Sequence, residues 1–378
     1  MKISILKNQL VQAIQNVHKA VSSKSTIPVL SGIKMAADEQ GLHFTATDLE
    51  IGIETLVPTL IDDEEIVQVK EAGAIVLSAR FFGEIVRKLP GKTVEIEVKQ
   101  NYLTIIRSGK TEYNLHGLDH EEFPRLPQVA DNQVFSVQSD ILKDMIRQTS
   151  LAVSTEEIRP VLTGVVFALK NGNLKFVATD SHRLATRESI VEAPPELEFA
   201  NVIVPGKALN ELGRLLADDD SLVDVLVSEN QVLVKMGLTK FYTRLIDGQY
   251  PDISRIIPST FKTGLTVNTK ELQGSIERAS LVAKENDNNL VRFNIKHNRL
   301  EITSNSPDAG KYSEPIDEIE VTGDELVIAF NSKYFLDALR VIDSPDILIE
   351  FTGSMSPFLI KLPDNPRYLH LILPVRIY

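Results

Sequence analysis

No cysteine occurs among the 378 residues, so neither disulfides nor thiolate metal sites hold the chain together, and a reducing, cytoplasmic setting is expected. A continuous apolar run of membrane-spanning length, about 18 residues or more, is also missing. The first residues, Met1-Lys2-Ile3-Ser4-Ile5, start directly on a strand-like alternation and lack the apolar core of a secretory leader. No GxxxxGK phosphate loop and no GxSxG nucleophile elbow is present. Net positive charge is lacking as well. The formal value of -12 excludes a nucleic-acid binder that works by bulk charge, though not one that gathers its cations on one face. The acids are bunched in Asp62–Glu65, Asp218–Asp220 and the stretch Glu314–Glu325, between apolar segments, which reads as solvated loops.

What is present is an ordinary globular composition, 43% hydrophobic and 24% charged, in a chain long enough for two or three cores. It is written as a repeat. Phe135 and Val137 alternate, then Leu142, Met145, Ile146 and Thr149 follow at helical spacing. The same line appears as Ile3, Ile5, then Leu10, Ala13, Ile14 and Val17. It returns as Leu265, Val267, then Leu272, Ser275, Ile276 and Ala279. Copies about 130 residues apart require the fold to be read as an array. Short alternating strands follow in each copy, with Leu42, Leu174 and Leu300 in corresponding places, as are Phe44, Phe176 and Ile302.

Each copy then repeats its own plan of strand, cap, basic residue and helix. The second helices carry Phe81, Phe82, Ile85 and Leu89; Leu209, Leu212 and Leu216; and Tyr334, Phe335, Ala338 and Ile342. Two further strands and a closing strand, near Tyr113, Phe241 and Leu369–Leu373, complete each copy. The expected fold class is therefore α+β: three repeated domains, each of two strand–helix–strands units with antiparallel sheets. Prolines at Pro124, Pro127 and Pro251 place the domains at residues 1–127, 128–254 and 255–378. Strand edges left at the ends of such an array need cover from a neighbouring domain or a second subunit.

Catalytic signals are poor. His116 and His120 lie beside Asp119, Glu121 and Glu122, but in a loop where helical ligand spacing does not apply. Thr179-Asp180-Ser181-His182-Arg183 brings acid, hydroxyl and imidazole together in sequence. Neighbours on a strand point to opposite faces, so a recognition loop is the expected reading rather than a catalytic triad. No metal and no cofactor is expected. The helical segments, by contrast, repeatedly carry cations: Lys19, Arg80, Arg87, Lys88, Lys143, Arg147, Lys207, Arg214, Lys270, Arg278, Lys333 and Arg340. On one helix this is a solvated face; repeated six times in an acidic chain it points to a collected basic surface.

Ile27-Pro28-Val29-Leu30, Thr179-Asp180-Ser181-His182-Arg183-Leu184-Ala185, Tyr250-Pro251-Asp252 and Leu373-Pro374-Val375-Arg376, in this order on a threefold repeat, resemble the bacterial DNA polymerase III beta subunit family, the sliding clamps. The likeness covers essentially the whole chain and is nearest to clamps of Bacillus-like Gram-positive bacteria. It implies a head-to-tail homodimeric ring, with helices inside and sheets outside. The ring would enclose double-stranded DNA without reading its sequence. It would tether the replicative polymerase catalytic subunit, the clamp loader and other polymerases and repair proteins through short hydrophobic motifs. The family implies a processivity factor without an active site of its own and no association with membranes.

Carried over by position, the resemblance implies DNA contacts at Lys24 and Arg80, while Glu156, Pro160 and Val161 stand at other contact positions with residues poor at binding phosphate. It implies a dimer joint at Tyr113, Leu281 and Val282, with Lys110, Asp308 and Glu314 as ionic partners; Glu112 replaces a basic family position. A partner-peptide groove is implied at Leu162, Thr179, Ser181, His182, Arg183, Leu184, Pro251, Arg255, Ile256, Asn331, Tyr334, Met355, Pro357, Leu373, Pro374, Val375 and Arg376. Aliphatic walls and the adaptable Met355 suit a short hydrophobic segment, and Met355 and Val375 are expected to set selectivity. The loop Lys284–Asn289 is one residue longer than in better-known relatives, so its groove residue stays unassigned. Two other classes compete with the clamp: a nucleic-acid-processing enzyme whose carboxylates converge on folding, and a protein-only scaffold in which the basic helices are incidental.

Overall fold

The computed structural model describes residues 1–22, 26–127, 134–283 and 289–376. Among them are six α-helices: α1 (Lys7–His18), α2 (Ala79–Lys88), α3 (Ser139–Ser150), α4 (Gly206–Gly213), α5 (Thr269–Ala283) and α6 (Ser332–Leu339). Helices α1, α3 and α5 begin directly after the strands Lys2–Leu6, Val134–Gln138 and Thr263–Asn268, as the repeat requires. Their expected stripes are buried: Leu10, Ala13, Ile14 and Val17 on α1, Leu142, Met145, Ile146 and Thr149 on α3, and Leu272, Ser275, Ile276 and Ala279 on α5. The shared strand positions Leu42, Leu174, Leu300, Phe44, Phe176 and Ile302 are all fully buried.

Helix α2 departs from expectation. Phe82 and Leu89 are buried as expected, but Phe81 is exposed and Ile85 only half-buried, and Ala79, Gly83 and Val86 face the core as well. Gly83 faces α1, where a Cβ would stand 3.5 Å from Ile14, an ordinary contact distance.

By compactness the chain divides into two units, residues 1–140 with 211–245, and residues 141–210 with 246–378. The first unit holds a five-stranded and an eight-stranded sheet, the second a nine-stranded and a four-stranded sheet, all antiparallel. The middle repeat is divided because its strands join sheets with both neighbours. In the first unit, Thr239–Arg244 of the second repeat pairs with Ile51–Pro58 of the first, in the register Phe241↔Ile53. In the second unit, Arg183–Ile190 of the second repeat pairs with Asn365–Ile372 of the third, in the register Leu184↔Leu371. Two edges are thereby covered by the next repeat. The corresponding strands at the array's ends, Thr111–His116 and Gly310–Asp317, are the outermost strands of their sheets.

The core of the second unit is dense in aromatic rings. Phe293, Phe330, Phe335, Phe351 and Phe358 are fully buried, with ring centroids 4.7 to 5.8 Å apart along the chain of neighbours. Each contributes about 1.5–3 kcal/mol by leaving water, and edge-to-face pairs such as Phe293–Phe330 add a little more. The acidic stretch Glu314–Glu325 is not all loop: it includes the end of Gly310–Asp317 and the short strand Glu320–Gly323. No helix among the described residues is long and apolar enough to cross a membrane.

Candidate protein-binding groove

The residues expected in the groove all belong to the second unit, and several lie along its sheet seam. Asn173–Thr179 and Arg183–Ile190 are joined by a tight turn that the Thr-Asp pair builds. Asp180 accepts hydrogen bonds from the backbone N–H of His182 (2.9 Å) and Arg183 (3.0 Å), and the Thr179 hydroxyl donates to the Arg183 carbonyl (2.7 Å). Ser181 takes a left-handed φ of 76° to close it. The Asp180 and Thr179 side chains are thus committed to the turn, and the segment does not form a catalytic triad. The His182 carbonyl accepts from Leu373 N–H at 2.9 Å, and Val375 N–H donates to the Ala329 carbonyl at 2.8 Å. These bonds lay the segment 373–376 beside the turn.

Leu162 and Leu184 are buried in one apolar cluster with Val177, Tyr250, Leu359 and Leu371, and Leu373 packs against it. They form a floor rather than an exposed wall. Pro251 follows Tyr250, whose hydroxyl accepts from Thr179 N–H at 2.9 Å. Burial pushes the Tyr250 phenol well above its usual range, so it stays protonated. Arg255 and Ile256 are exposed on the turn whose Ile253 and Ile257 pack on the same cluster. Pro357 directly precedes Phe358, which pairs with Ile372, while Met355 in the same loop is 54% exposed. Pro374 and Val375 are half-buried and Arg376 is exposed.

A polar brace stands at one end. Arg183 bonds Asp180 through Nε at 3.0 Å and Asp337 through Nη1 at 2.7 Å, with its side chain only 11% exposed. Its guanidinium carbon lies 4.6 Å from the Tyr334 ring centroid, a stacked cation–π contact. Tyr334 was expected on the core stripe of α6 but is half-exposed, and partial burial raises its phenol pKa. Asn331 serves as N-cap of α6, accepting from Lys333 N–H at 2.9 Å. The arrangement offers an apolar floor, the exposed Met355 and Ile256, and a rigid Tyr–Arg end, which suits a short hydrophobic peptide.

The other expected site residues are placed as follows. Lys24 lies outside the described residues, as do residues 284–288 of the loop left unassigned above. Arg80 is exposed at the start of α2, 5.8 Å from the Phe81 ring. Several of the helix cations are neutralised within the chain: Arg147 pairs with Asp144 and Asp343, Arg214 with Glu211, Arg340 with Glu277 and Asp337, and Arg278 with Glu314. The collected positive charge is therefore smaller than the residue count implies.

Tyr113 is 38% exposed on the outer strand Thr111–His116, and Leu281 is 67% exposed on the last turn of α5 beside half-buried Val282. Lys110 and Asp308 are exposed and have no ion-pair partner among the described residues. Glu314 is already engaged inside its own chain: its carboxylate accepts from Arg278 at 2.6 and 2.9 Å, from Ser275 at 3.2 Å and from Tyr312. These donors, Arg278 foremost, lower its pKa to about 2. Among the described residues, no group of three or more His, Asp or Glu side chains is placed to hold a metal ion. His120 is instead 3.6 Å from Asp119, whose other oxygen accepts from the Tyr102 hydroxyl.

Three models of the DNA polymerase III beta subunit match: its N-terminal domain over residues 1–127, central domain over 136–252 and C-terminal domain over 254–376. The chain is 49% identical to the beta sliding clamp of Bacillus subtilis and 46% identical to that of Halalkalibacterium halodurans, in each case over 100% of both chains. The crystal structure of the DNA polymerase sliding clamp from Bacillus subtilis is similar with a TM-score of 0.97 at 49% identity, over 100% of both chains. That of the Thermotoga maritima DNA polymerase III beta subunit gives 0.90 at 28% identity, again over 100% of both chains.

Proposed function

This chain belongs to the DNA polymerase III beta subunit family, and from that membership we propose that two copies close head to tail into a ring around duplex DNA. It is a DNA sliding clamp, a processivity factor of replication. In our reading it has no active site of its own, works in the cytoplasm, and comprises clamp domains at 1–127, 128–254 and 255–378. Its hold on DNA is topological. Contacts to phosphate need only be weak and sequence-blind, which cations such as Lys24 and the exposed Arg80 provide.

The observation that carries the ring is the pattern of seams. Twice within the chain, the third hairpin strand of one repeat pairs with the closing strand of the next: Ile51–Pro58 with Thr239–Arg244, and Arg183–Ile190 with Asn365–Ile372. The same rule leaves Gly310–Asp317 without a successor and Thr111–His116 without a predecessor. A second copy supplies both, and the contact is heterologous, so two copies close with two equal joints. Tyr113, Leu281 and Val282 supply apolar contact there, with Lys110 opposite Asp308. Glu314, held by Arg278, acts first as a brace between α5 and the joining strand.

The groove takes short hydrophobic segments of the polymerase catalytic subunit, the clamp loader and other polymerases and repair proteins, one partner at a time. Primer extension by the matched polymerase tests the assignment. Products lengthen when the chain is loaded and stay long at salt concentrations that strip ordinary phosphate binders. Unchanged product length with loader present would overturn it.

A further inference from the structure

Behind the groove floor the same seam hides a polar cluster. Four side-chain atoms there are buried with no hydrogen-bond partner among the described residues: Oε1 of Gln148 on α3, Nε of Arg187, the hydroxyl of Tyr368 and Nε2 of His370. Tyr368, His370 and Gln148 are 1%, 3% and 7% exposed. Arg187 pairs directly with Tyr368 across the seam, and the Tyr368 and His370 rings lie 4.9 Å apart. His370 also makes a hydrogen bond with the Gln148 backbone, which brings α3 against the same spot. Leu184 and Leu371 point to the apolar cluster of the groove, while Tyr368 and Ile372 belong to the core on the opposite face of the strand, where the alternation puts His370.

Orphaned polar atoms of this kind each carry a desolvation penalty, so four together call for a ligand. The donor and acceptor types select it. Arg187 Nε and the Tyr368 hydroxyl can donate; Gln148 Oε1 and the neutral His370 Nε2 accept. Burial and the nearby Arg183 charge keep His370 neutral, with its pKa lowered to about 3. An anion would face two acceptors and a cation two donors, whereas water both donates and accepts. Asp144 and Asp343 pair with Arg147 and offset part of the positive charge of Arg187 and Arg367, so it is the two acceptor atoms that disfavour an anion here. We propose that these four atoms enclose a small internal water cluster, which hydrogen-bonds helix α3 to the strand Asn365–Ile372 behind the peptide groove.

The first seam provides a contrast within the same molecule. There the positions of Arg187 and Tyr368 are taken by Thr55 and Thr239, whose hydroxyls bond each other directly at 3.1 Å, and the position of His370 by Phe241. That seam is joined directly; the second is built to hold solvent.

Oxygen-17 magnetic relaxation dispersion on the full chain, which detects long-lived internal water, tests the proposal. Tyr368→Phe removes only a hydroxyl, and His370→Leu removes an acceptor. The expected result is a smaller dispersion amplitude in both variants than in the parent chain. Should His370→Leu fail to fold, Tyr368→Phe decides alone. An unchanged amplitude in the folded variants would overturn the proposal. So would a high-resolution map in which the four side chains bond one another directly, or an anomalous peak at the cluster after a bromide soak.

Discussion

Replacing Leu281 by alanine should loosen the ring without weakening the fold. A leucine side chain leaving water entirely is worth about 1.5–3 kcal/mol. Leu281 is 67% exposed in the single chain, so roughly 1–2 kcal/mol remains to be recovered when a second copy covers it. Truncation to alanine forfeits about 1 kcal/mol of this at each joint. The closed ring has the joint twice, so the loss is about 2 kcal/mol, or a dimer dissociation constant raised roughly 30-fold. The buried face of α5 is carried by Leu272, Ile276, Ala279 and Ala283, so the melting temperature measured where the chain is already monomeric should not move. Sedimentation velocity over a dilution series reads the constant directly. An unchanged dissociation constant in a normally melting variant would remove Leu281 from the joint.

Met355 is about half exposed, so Met355→Ala should cost a docked hydrophobic peptide about 1 kcal/mol, close to a fivefold rise in its dissociation constant by fluorescence anisotropy. Met355→Lys should cost more, and equal binding by both would place the peptide elsewhere. His370 gives a signed pH effect. Its native pKa is lowered from 6.5 to about 3, so between those values the unfolded chain binds a proton that the native chain refuses. Stability therefore falls as pH drops through that window, by at most about 1.4 kcal/mol per unit from this group. His370→Gln should match the parent's slope above pH 7 and show a shallower decline below 6.5 in thermal melts; parallel curves would contradict the assignment. Glu314 acts lower still: its contribution is present above about pH 4.5 and is lost as pH falls toward about 2.

Periodicity made the six helices legible because the buried stripes repeat at the same positions in each copy, and a threefold pattern averages out local noise. It was only half right at α2, where Phe82 and Leu89 are buried but Phe81 is exposed. Tyr334, at the core spacing of α6, packs against the core only in part and also stacks on Arg183. That contact depends on Asp180 and Asp337 fixing the guanidinium, and residues so far apart in sequence carry no local signal of meeting. The seams were beyond periodicity for a similar reason, since Ile53 and Phe241 pair across nearly half the chain. Counting cations on helices overstated the positive surface because their partners, such as Asp343 for Arg147, lie on other elements. The groove residues were named through family resemblance. Several of them lie along the second seam, while the polar cluster behind it left no motif, since Gln148, Arg187, Tyr368 and His370 are individually unremarkable residue types.

Topological enclosure is the central claim, and retention on DNA of different topology tests it most directly. The chain is loaded by a matched clamp loader with ATP onto nicked circles, and retention is then followed after linearisation. Enclosure predicts long persistence on circles and rapid loss from free ends, with little dependence on moderate salt. Equal retention on circular and linear DNA, falling steeply as salt rises, would mean ordinary phosphate binding and would contradict the ring.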